Sequence, residues 1–370
     1  MELYKAIDLV KYPFLTQLNE LLNLKYPNLK IEDILNNTEL YPFNRALEIL
    51  ESIVTKNTIF KTRINSEDEI IAFYSLLIGA ITIGDRALLH RIAVAYSKQT
   101  SSFLNHETID NIVLIARKIG LDVELTRDPP KILIDVKRDG SILYIAKPVS
   151  IDLKQYLEII SKKLAHDPKY MLVNQIVENS RVFIDKEVLI RLIEELVYRR
   201  IIEYANLINF NPDKITLFIS KYREILEKNN WFRRKPVIES GNDRTEVKNR
   251  LVVDKLPPCM KNILSKIESS ENPSHHERFA LASFLVNIGL EIDSILEIFR
   301  KTPDFNERIA RYQVEHISGL RGSRRKYLPY NCDNMKSLGI CPINDYCSGG
   351  KNPLTIYRRN IRSGKYVDKE

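Results

Sequence analysis

Through about the first 125 residues, apolar positions recur three and four apart, the period of helices with one buried face. Leu88, Leu89, Ile92, Ala93 and Tyr96 follow this spacing behind the Gly84-Asp85 break, and the uncharged run from Ile70 to Gly84 reads as a buried core helix. Ser66 followed by Glu67, Asp68 and Glu69 predicts a capped helix start, because a hydroxyl cap and first-turn acids suit the free N–H groups there. That ordinary pattern outweighs an acidic metal knot at the same place. The period then changes. "KILIDVKRDGSILYIAKP" holds two β-rich runs around Asp139-Gly140, a hairpin signal, since both residues tolerate positive φ. A helix over 152–164, a strand over 170–177 and a long helix capped by Asp185, with Val188, Leu189, Leu192, Ile193, Leu196, Val197 and Ile201 on one face, complete a small α/β unit in or beside a helical domain.

From Lys228 to Pro258 neither period holds, and the charged, Gly- and Pro-containing stretch reads as a linker between an N-terminal domain (1–227) and a C-terminal domain (259–370). Trp231, the single tryptophan, stands at its start beside Phe232, Arg233 and Arg234. Burial against the N-terminal core is the stronger reading, with base stacking as the alternative. Beyond the linker, "ENPSHHERFALASFLVNIGL" carries a capping box, Ser274 with Glu277, ahead of an apolar run closed by Gly289, although Pro273 behind Asn272 offers another start. Either start sets His275, His276 and Arg278 in the first turn, where the helix already favours an anion, and this suits a polyphosphate as well as a plain solvated helix end. The next helix, "DFNERIARYQVEHISG", is expected to bury Phe305 and Ile309. Its Tyr312, Gln313 and His316 share one side, followed by the loop residues Arg321, Arg324, Arg325 and Lys326. An aromatic, an amide, an imidazole and a run of cations make a workable single-strand contact surface.

Composition sharpens this picture. The chain of 370 residues is long enough for two or three cores without disulfides, and "MELYKAIDLVKYPFL" lacks the basic-then-apolar pattern of a secretion signal, so reduced cysteines and a cytoplasmic location are expected. The longest uncharged run falls short of the roughly 20 apolar residues a membrane span needs. Of the net charge of +8, residues from Ser318 onward contribute 11 Lys/Arg against 4 Asp/Glu, leaving 45 against 44 before them. The excess charge therefore sits beside the cysteines, either to offset thiolates or to meet nucleic acid.

Three of the four cysteines, Cys332, Cys341 and Cys347, lie in "YNCDNMKSLGICPINDYC", and the fourth, Cys259, is far upstream. This spacing is neither the paired C-x-x-C of a zinc ribbon nor the compact ferredoxin run, although Pro342 follows Cys341 as a proline often follows a ligand cysteine there. It supports a cysteine-only metal site and leaves zinc and iron-sulfur open. No carboxylate constellation for two-metal nucleotidyl transfer is visible, and "SGGKN" fails the phosphate-loop pattern, so a non-catalytic subunit of an enzyme is expected.

Taken in order, Cys259, "SHHERFALASFLVNIGL", "RYQVEHISG", "LPYNC", "GICP" and "YCSGGKNPL" closely resemble the iron-sulfur domain of the archaeal and eukaryotic DNA primase large subunit. "KYPFL" and "IGDRALLHRIAVAYSKQ" resemble its archaeal branch, so the resemblance covers both domains. It implies a mainly α fold: a helical N-terminal domain with an α/β subdomain that docks a catalytic small subunit as a heterodimer, and a helical C-terminal domain around a 4Fe-4S cluster held by Cys259, Cys332, Cys341 and Cys347. It further implies that His275 and Arg278, as the matched contacts with His276 beside them, meet the triphosphate of the initiating nucleotide, and that Tyr312, Gln313 and His316 lie near the single-stranded template as an RNA primer is begun in the replication machinery at the nucleoid. The chain departs from the eukaryotic pattern at Val286, where a lysine is expected, and at Asn272, where a histidine is expected. The competing expectations are an independent iron-sulfur nuclease or helicase, which would need its own carboxylates or nucleotide loop, and a zinc-stabilised scaffold.

Overall fold

The computed structural model describes residues 7–56, 60, 67–136, 139–164, 167–233, 251–322, 324–342, 347 and 350–363. The fold is mainly α, and the chain divides into two compact units, Met1–Asn229 and Asn230–Glu370.

The N-terminal unit begins with α1 (Leu18–Lys25), α2 (Ile31–Leu35) and α3 (Tyr41–Lys56), followed by α4 (Asp68–Ile83), α5 (Arg86–Asn105) and α6 (Ile109–Lys118). Helix α4 is the expected core helix, buried without interruption from Glu69 to Ala80, and it ends where Gly84 turns left-handed. Asp85 caps α5 by accepting from the N–H groups of Ala87 and Leu88. Ser66 lies outside the described residues, and exposed Glu67 stands at the N-cap of α4 without a side-chain cap hydrogen bond; of the next two acids, Glu69 pairs with buried Arg45 at 2.8 Å and accepts from Tyr41 at 2.6 Å, while Asp68 pairs with Lys25 at 3.0 Å. Asp68 and Glu69 thus each have a cationic side chain as partner.

Four short strands form an antiparallel sheet in the order β1 (Val123–Leu125), β4 (Val149–Asp152), β6 (Arg181–Ile184), β5 (Ile176–Glu178). Its buried face receives α7 (Leu153–Lys163), capped by Asp152, and the long helix α8 (Lys186–Ala205), capped by Asp185, lies along α5. The strand expected over 170–177 is shorter and belongs to a hairpin that the sequence pattern does not announce. Asn179 and Ser180 both take left-handed φ, 49° and 60°, making a tight turn between β5 and β6, while Tyr170 sits in the preceding turn. The Asp139-Gly140 hairpin forms as expected, pairing β2 (Lys131–Val136) with β3 (Ile142–Ala146) in a separate two-stranded ribbon. The unit closes with α9 (Thr216–Lys228), whose Tyr222 is buried against α4 and donates to Leu76 O at 3.0 Å.

The C-terminal unit contains α10 (Pro258–Glu268), α11 (His275–Ile288), α12 (Ile292–Phe299), α13 (Glu307–Ser318), α14 (Cys332–Ser337) and α15 (Pro353–Ser363). Helix α11 is central: α10, α12, α13 and α15 all touch it, and Ala280, Leu281, Phe284 and Leu285 are buried in the shared core. Leu256 is fully buried in that core and Leu251 and Val253 pack against it, so residues 251–258 belong to this unit rather than to a linker. Lys228 ends α9, and residues 234–250, most of the expected linker, lie outside the described residues. Trp231 is buried and falls on the C-terminal side of the division, while Phe232 beside it is exposed. No helix among the described residues is long and apolar enough to cross a membrane.

Candidate functional site

Two of the four cysteines lie in the first turns of helices, and Cys341 and Cys347 lie beyond the end of α14. Cys259 lies in the first turn of α10 behind Pro257 and Pro258, where a missing N–H costs nothing, and it is 6% exposed. Cys332 opens α14, whose Asn331 cap accepts from the Asn334 N–H at 2.8 Å. The backbone ties the loop together: the Cys332 N–H donates to Lys351 O at 3.0 Å, the Cys341 N–H to Met335 O at 3.1 Å, and the Gly350 N–H to Cys347 O at 2.8 Å. All four thiols are free. Burial, then the neighbouring Cys347, Cys341 and Cys332, push Cys259 up to about 12, and Cys332 and Cys347 are raised by burial and by other members of the set. The fold thus brings distant Cys259 into one electrostatic neighbourhood with the three loop cysteines. Four soft thiol donors suit zinc or an iron-sulfur cluster. Among the described residues no three His, Cys, Asp or Glu side chains converge closely enough to hold a single metal ion.

At the start of α11 the Ser274–Glu277 capping box forms as the sequence predicts, with Ser274 rather than Asn272 as the cap. The Ser274 N–H donates to Glu277 Oε2 at 2.7 Å, and Lys266 Nζ meets Glu277 Oε1 at 2.6 Å. Burial opposes ionisation of this carboxyl, but the Lys266 and Ser274 hydrogen bonds outweigh it and hold Glu277 below the usual carboxylate range. His275 is exposed and His276 half-buried. Arg278 folds back over the cap: its Nε donates to Pro273 O at 3.0 Å, and its terminal nitrogen meets both Asp304 Oδ1 at 2.6 Å and Asn272 Oδ1. The two departures from the eukaryotic pattern thereby acquire physical roles. Asn272 is a partner of Arg278, and Val286 is a buried core residue, a place where an unpaired lysine would be costly.

On α13 the buried positions are Val314 and Ile317, with Ala310 packed against the core. Phe305 is buried as expected, but Ile309 is 56% exposed, because it falls on the opposite face, three, four and seven residues before Tyr312, Gln313 and His316. Ile309 thus extends the exposed side that those three residues define. The Tyr312 and His316 rings stack at 6.4 Å, and Arg321 lies over the Tyr312 ring at 6.0 Å while pairing with Glu315. Arg324, Arg325 and Lys326 are exposed in the following loop. Gly322 lies against His316, and a Cβ there would come within 2.6 Å of the imidazole. The loop returns to the helices through the Tyr327 N–H, which donates to Ile317 O at 2.9 Å, and Tyr327 O, which accepts from Asn287 at 2.7 Å.

These two regions, separate in sequence, are joined by rings. Beyond Tyr312 and His316, Tyr327 lies 5.3 Å from His316 and 6.1 Å from Phe279. Phe279 lies 5.0 Å from Tyr330, which lies 5.9 Å from His276, itself 5.8 Å from His275. A continuous aromatic wall therefore runs from the α13 face to the α11 N-terminus. The sequence reading missed Tyr327 and Tyr330 as members of this wall, although their three-residue spacing around Pro329 is a visible signal. It also missed the stripe on α15, where exposed Arg358, Arg359 and Arg362 share one face in a stretch without Asp or Glu from Tyr346 to Val367.

Residues 249–363 match the family model for the C-terminal domain of the eukaryotic and archaeal DNA primase large subunit. The C-terminal unit is thus the class of domain found in primase large subunits. Similarity extends through the N-terminal unit: DNA primase large subunit PriL of Methanosarcina mazei is 28% identical over 366 residues, 96% of this chain and 89% of that one. PriL of Thermoplasma acidophilum is 35% identical across 53% of this chain and 57% of its own. PriL of Methanopyrus kandleri is 49% identical over 105 residues, 28% of this chain and 25% of that one. Along nearly its whole length the chain is thus similar to archaeal DNA primase large subunits, and its C-terminal unit matches the C-terminal domain of that family.

Proposed function

We propose that this chain is the non-catalytic large subunit of a heterodimeric primase, which docks a catalytic small subunit through its N-terminal unit and uses its C-terminal unit to gather template and first nucleotide as an RNA primer is begun. The observation that carries the reading is the aromatic wall, which makes one surface of the α11 N-terminus and the α13 face within the part of the chain that matches the primase domain. His275, His276 and Arg278 receive the triphosphate at the positive end of α11. Tyr312, Gln313 and His316 receive template bases, with Arg321, Arg324, Arg325 and Lys326 along the phosphates. The wall supplies ring faces between them, so base and phosphate can be held at once and water excluded from the stacked side.

Cys259, Cys332, Cys341 and Cys347 would hold a 4Fe-4S cluster, supported by their all-thiol chemistry and shared neighbourhood. A cluster spaces its ligands more widely than one ion does, so it asks for no single point on which the thiols converge. When bound, it would cross-link α10 to the 332–347 loop. The test is anaerobic purification with a co-expressed small subunit. About four irons per chain, a brown colour and de novo synthesis are expected, with iron lost in Cys259→Ser while residues 7–229 stay folded. Colourless protein carrying stoichiometric zinc would remove the cluster, and absence of a complex would remove the subunit role.

A further inference from the structure

Tyr330 stands two residues before Cys332, yet its contacts run to the other site. Its hydroxyl oxygen lies 3.0 Å from Nδ1 of His276, and its ring packs at 5.0 Å on Phe279, one turn along α11 from His275 and His276. A phenol is neutral near pH 7 and can donate, while a neutral imidazole has one nitrogen that accepts and one that carries hydrogen. A phosphate oxygen is an acceptor only, so a histidine facing it must present an N–H. We infer that Tyr330 donates its hydroxyl proton to His276 Nδ1 and so fixes the ring in the Nε2–H form, making Tyr330 a positioning residue for capture of the initiating nucleotide's phosphates.

The inference rests on the phosphate-site reading given above and adds a residue whose ring can be retained while its function is removed. Tyr330→Phe keeps the packing on Phe279 and deletes the hydrogen bond to His276 Nδ1, so that the hydroxyl no longer sets which nitrogen carries the proton. Because the hydroxyl acts only through His276, its effect must vanish once that imidazole is gone.

The experiment is a double-mutant cycle of Tyr330→Phe and His276→Ala in the full heterodimer, with initiation followed against the concentration of the first nucleoside triphosphate and iron content measured for each variant. Tyr330→Phe is expected to raise KM for that nucleotide about three- to tenfold, the effect of one lost hydrogen bond, with kcat changed less than about twofold. In the His276→Ala background the same substitution should add nothing. An unchanged KM in Tyr330→Phe overturns the inference while leaving the phosphate site standing, provided His276→Ala raises KM. A Tyr330→Phe effect that persists without His276, or that accompanies loss of iron, also overturns it, since the residue would then act through the fold. An unchanged KM in His276→Ala would overturn the phosphate role of this histidine and the inference with it.

Discussion

Arg278 and Asp304 form an ion pair at 2.6 Å across the gap between α11 and the turn before α13, with both side chains largely covered. The guanidinium is thus already held in place by a carboxylate, by Asn272 and by a backbone carbonyl before any phosphate arrives. A pre-oriented arginine loses less side-chain entropy on capturing an anion. On the proposed phosphate role, Arg278→Ala would remove a charge-assisted contact of roughly 1.5 to 3 kcal/mol, so de novo dinucleotide synthesis should fall about tenfold or more. Extension of a supplied primer should be spared, because the reacting groups would lie in the other subunit. Because the substitution also opens the Asp304 pair, thermal unfolding is to be measured alongside. Equal loss in initiation and extension, or loss in neither, would remove Arg278 from the phosphate site.

The β2–β3 ribbon gathers six exposed apolar side chains of the N-terminal unit in one place. Ile142, Leu143, Tyr144 and Ile145 are each between 42% and 48% exposed, and Leu133 and Val136 face solvent on the partner strand. Such a patch on a folded chain marks an interaction surface. The sequence suggests the Asp139-Gly140 hairpin and the helix after it, with Tyr156, as the contact region, but Tyr156 is fully buried and donates its hydroxyl to Tyr170 O at 2.7 Å, which leaves the ribbon as the exposed part. Leu143→Asp with Tyr144→Asp should weaken capture of the small subunit at least tenfold in a pull-down or titration, with helicity unchanged. A fragment ending at Asn229 should still bind. Undiminished binding of the double variant would place the interface elsewhere.

Much of this architecture is legible in the sequence because local rules and tertiary structure agree. The Asp185 cap, the Ser274–Glu277 box, the break at Gly84-Asp85 and the Gly289 stop all form where composition and period place them, and Asp85, Asp152 and Gly319 add two further caps and a further stop. Differences arise where one residue could serve either face. Ile309 is apolar and its spacing from Phe305 predicts burial, but the helix phase set by Val314 and Ile317 turns it outward. The β5–β6 hairpin escapes sequence reading because Asn179-Ser180 is a weaker turn signal than Asp139-Gly140. The aromatic wall is invisible there because its rings come from three segments and meet only after the 320–331 loop folds back onto α11 and α13. The same holds for the neighbourhood of Cys259 and the loop cysteines, which spacing suggests but only the packing of α10 brings about.

Gly79 gives a sharp test of the N-terminal core. In an exposed helix Gly→Ala would stabilise by about 1 kcal/mol through backbone entropy. Here a Cβ would fall 2.2 Å from the Tyr222 ring, which is fully buried and tied to Leu76 O. Steric overlap in a filled core costs about 1 to 3 kcal/mol, so the sign reverses. Gly79→Ala should lower the unfolding midpoint of the N-terminal unit without altering the metal content of the other. A stabilised variant would show that Tyr222 can yield.

Glu277 links the capping box of α11 to Lys266 on α10, and its carboxyl is held below its ordinary value despite burial. A folded-state pKa depressed in this way stabilises the charged, folded form. The contribution is fully present above the unfolded value near 4.5 and is lost as pH falls through the lower folded value. Glu277→Gln keeps the size and a weaker cap acceptor but ends the ion pair, and should cost about 1 to 2 kcal/mol at pH 7. Denaturant unfolding of the two proteins at pH 7, 5 and 4 checks the sign. The stability gap should be constant from pH 7 to about pH 5 and narrow below the unfolded value. The comparison is to be made on metal-free protein, so that loss of a cluster in acid does not mask it. A gap that widens as pH falls would mean that Glu277 is protonated in the folded state, and that α11 is anchored to α10 by packing alone.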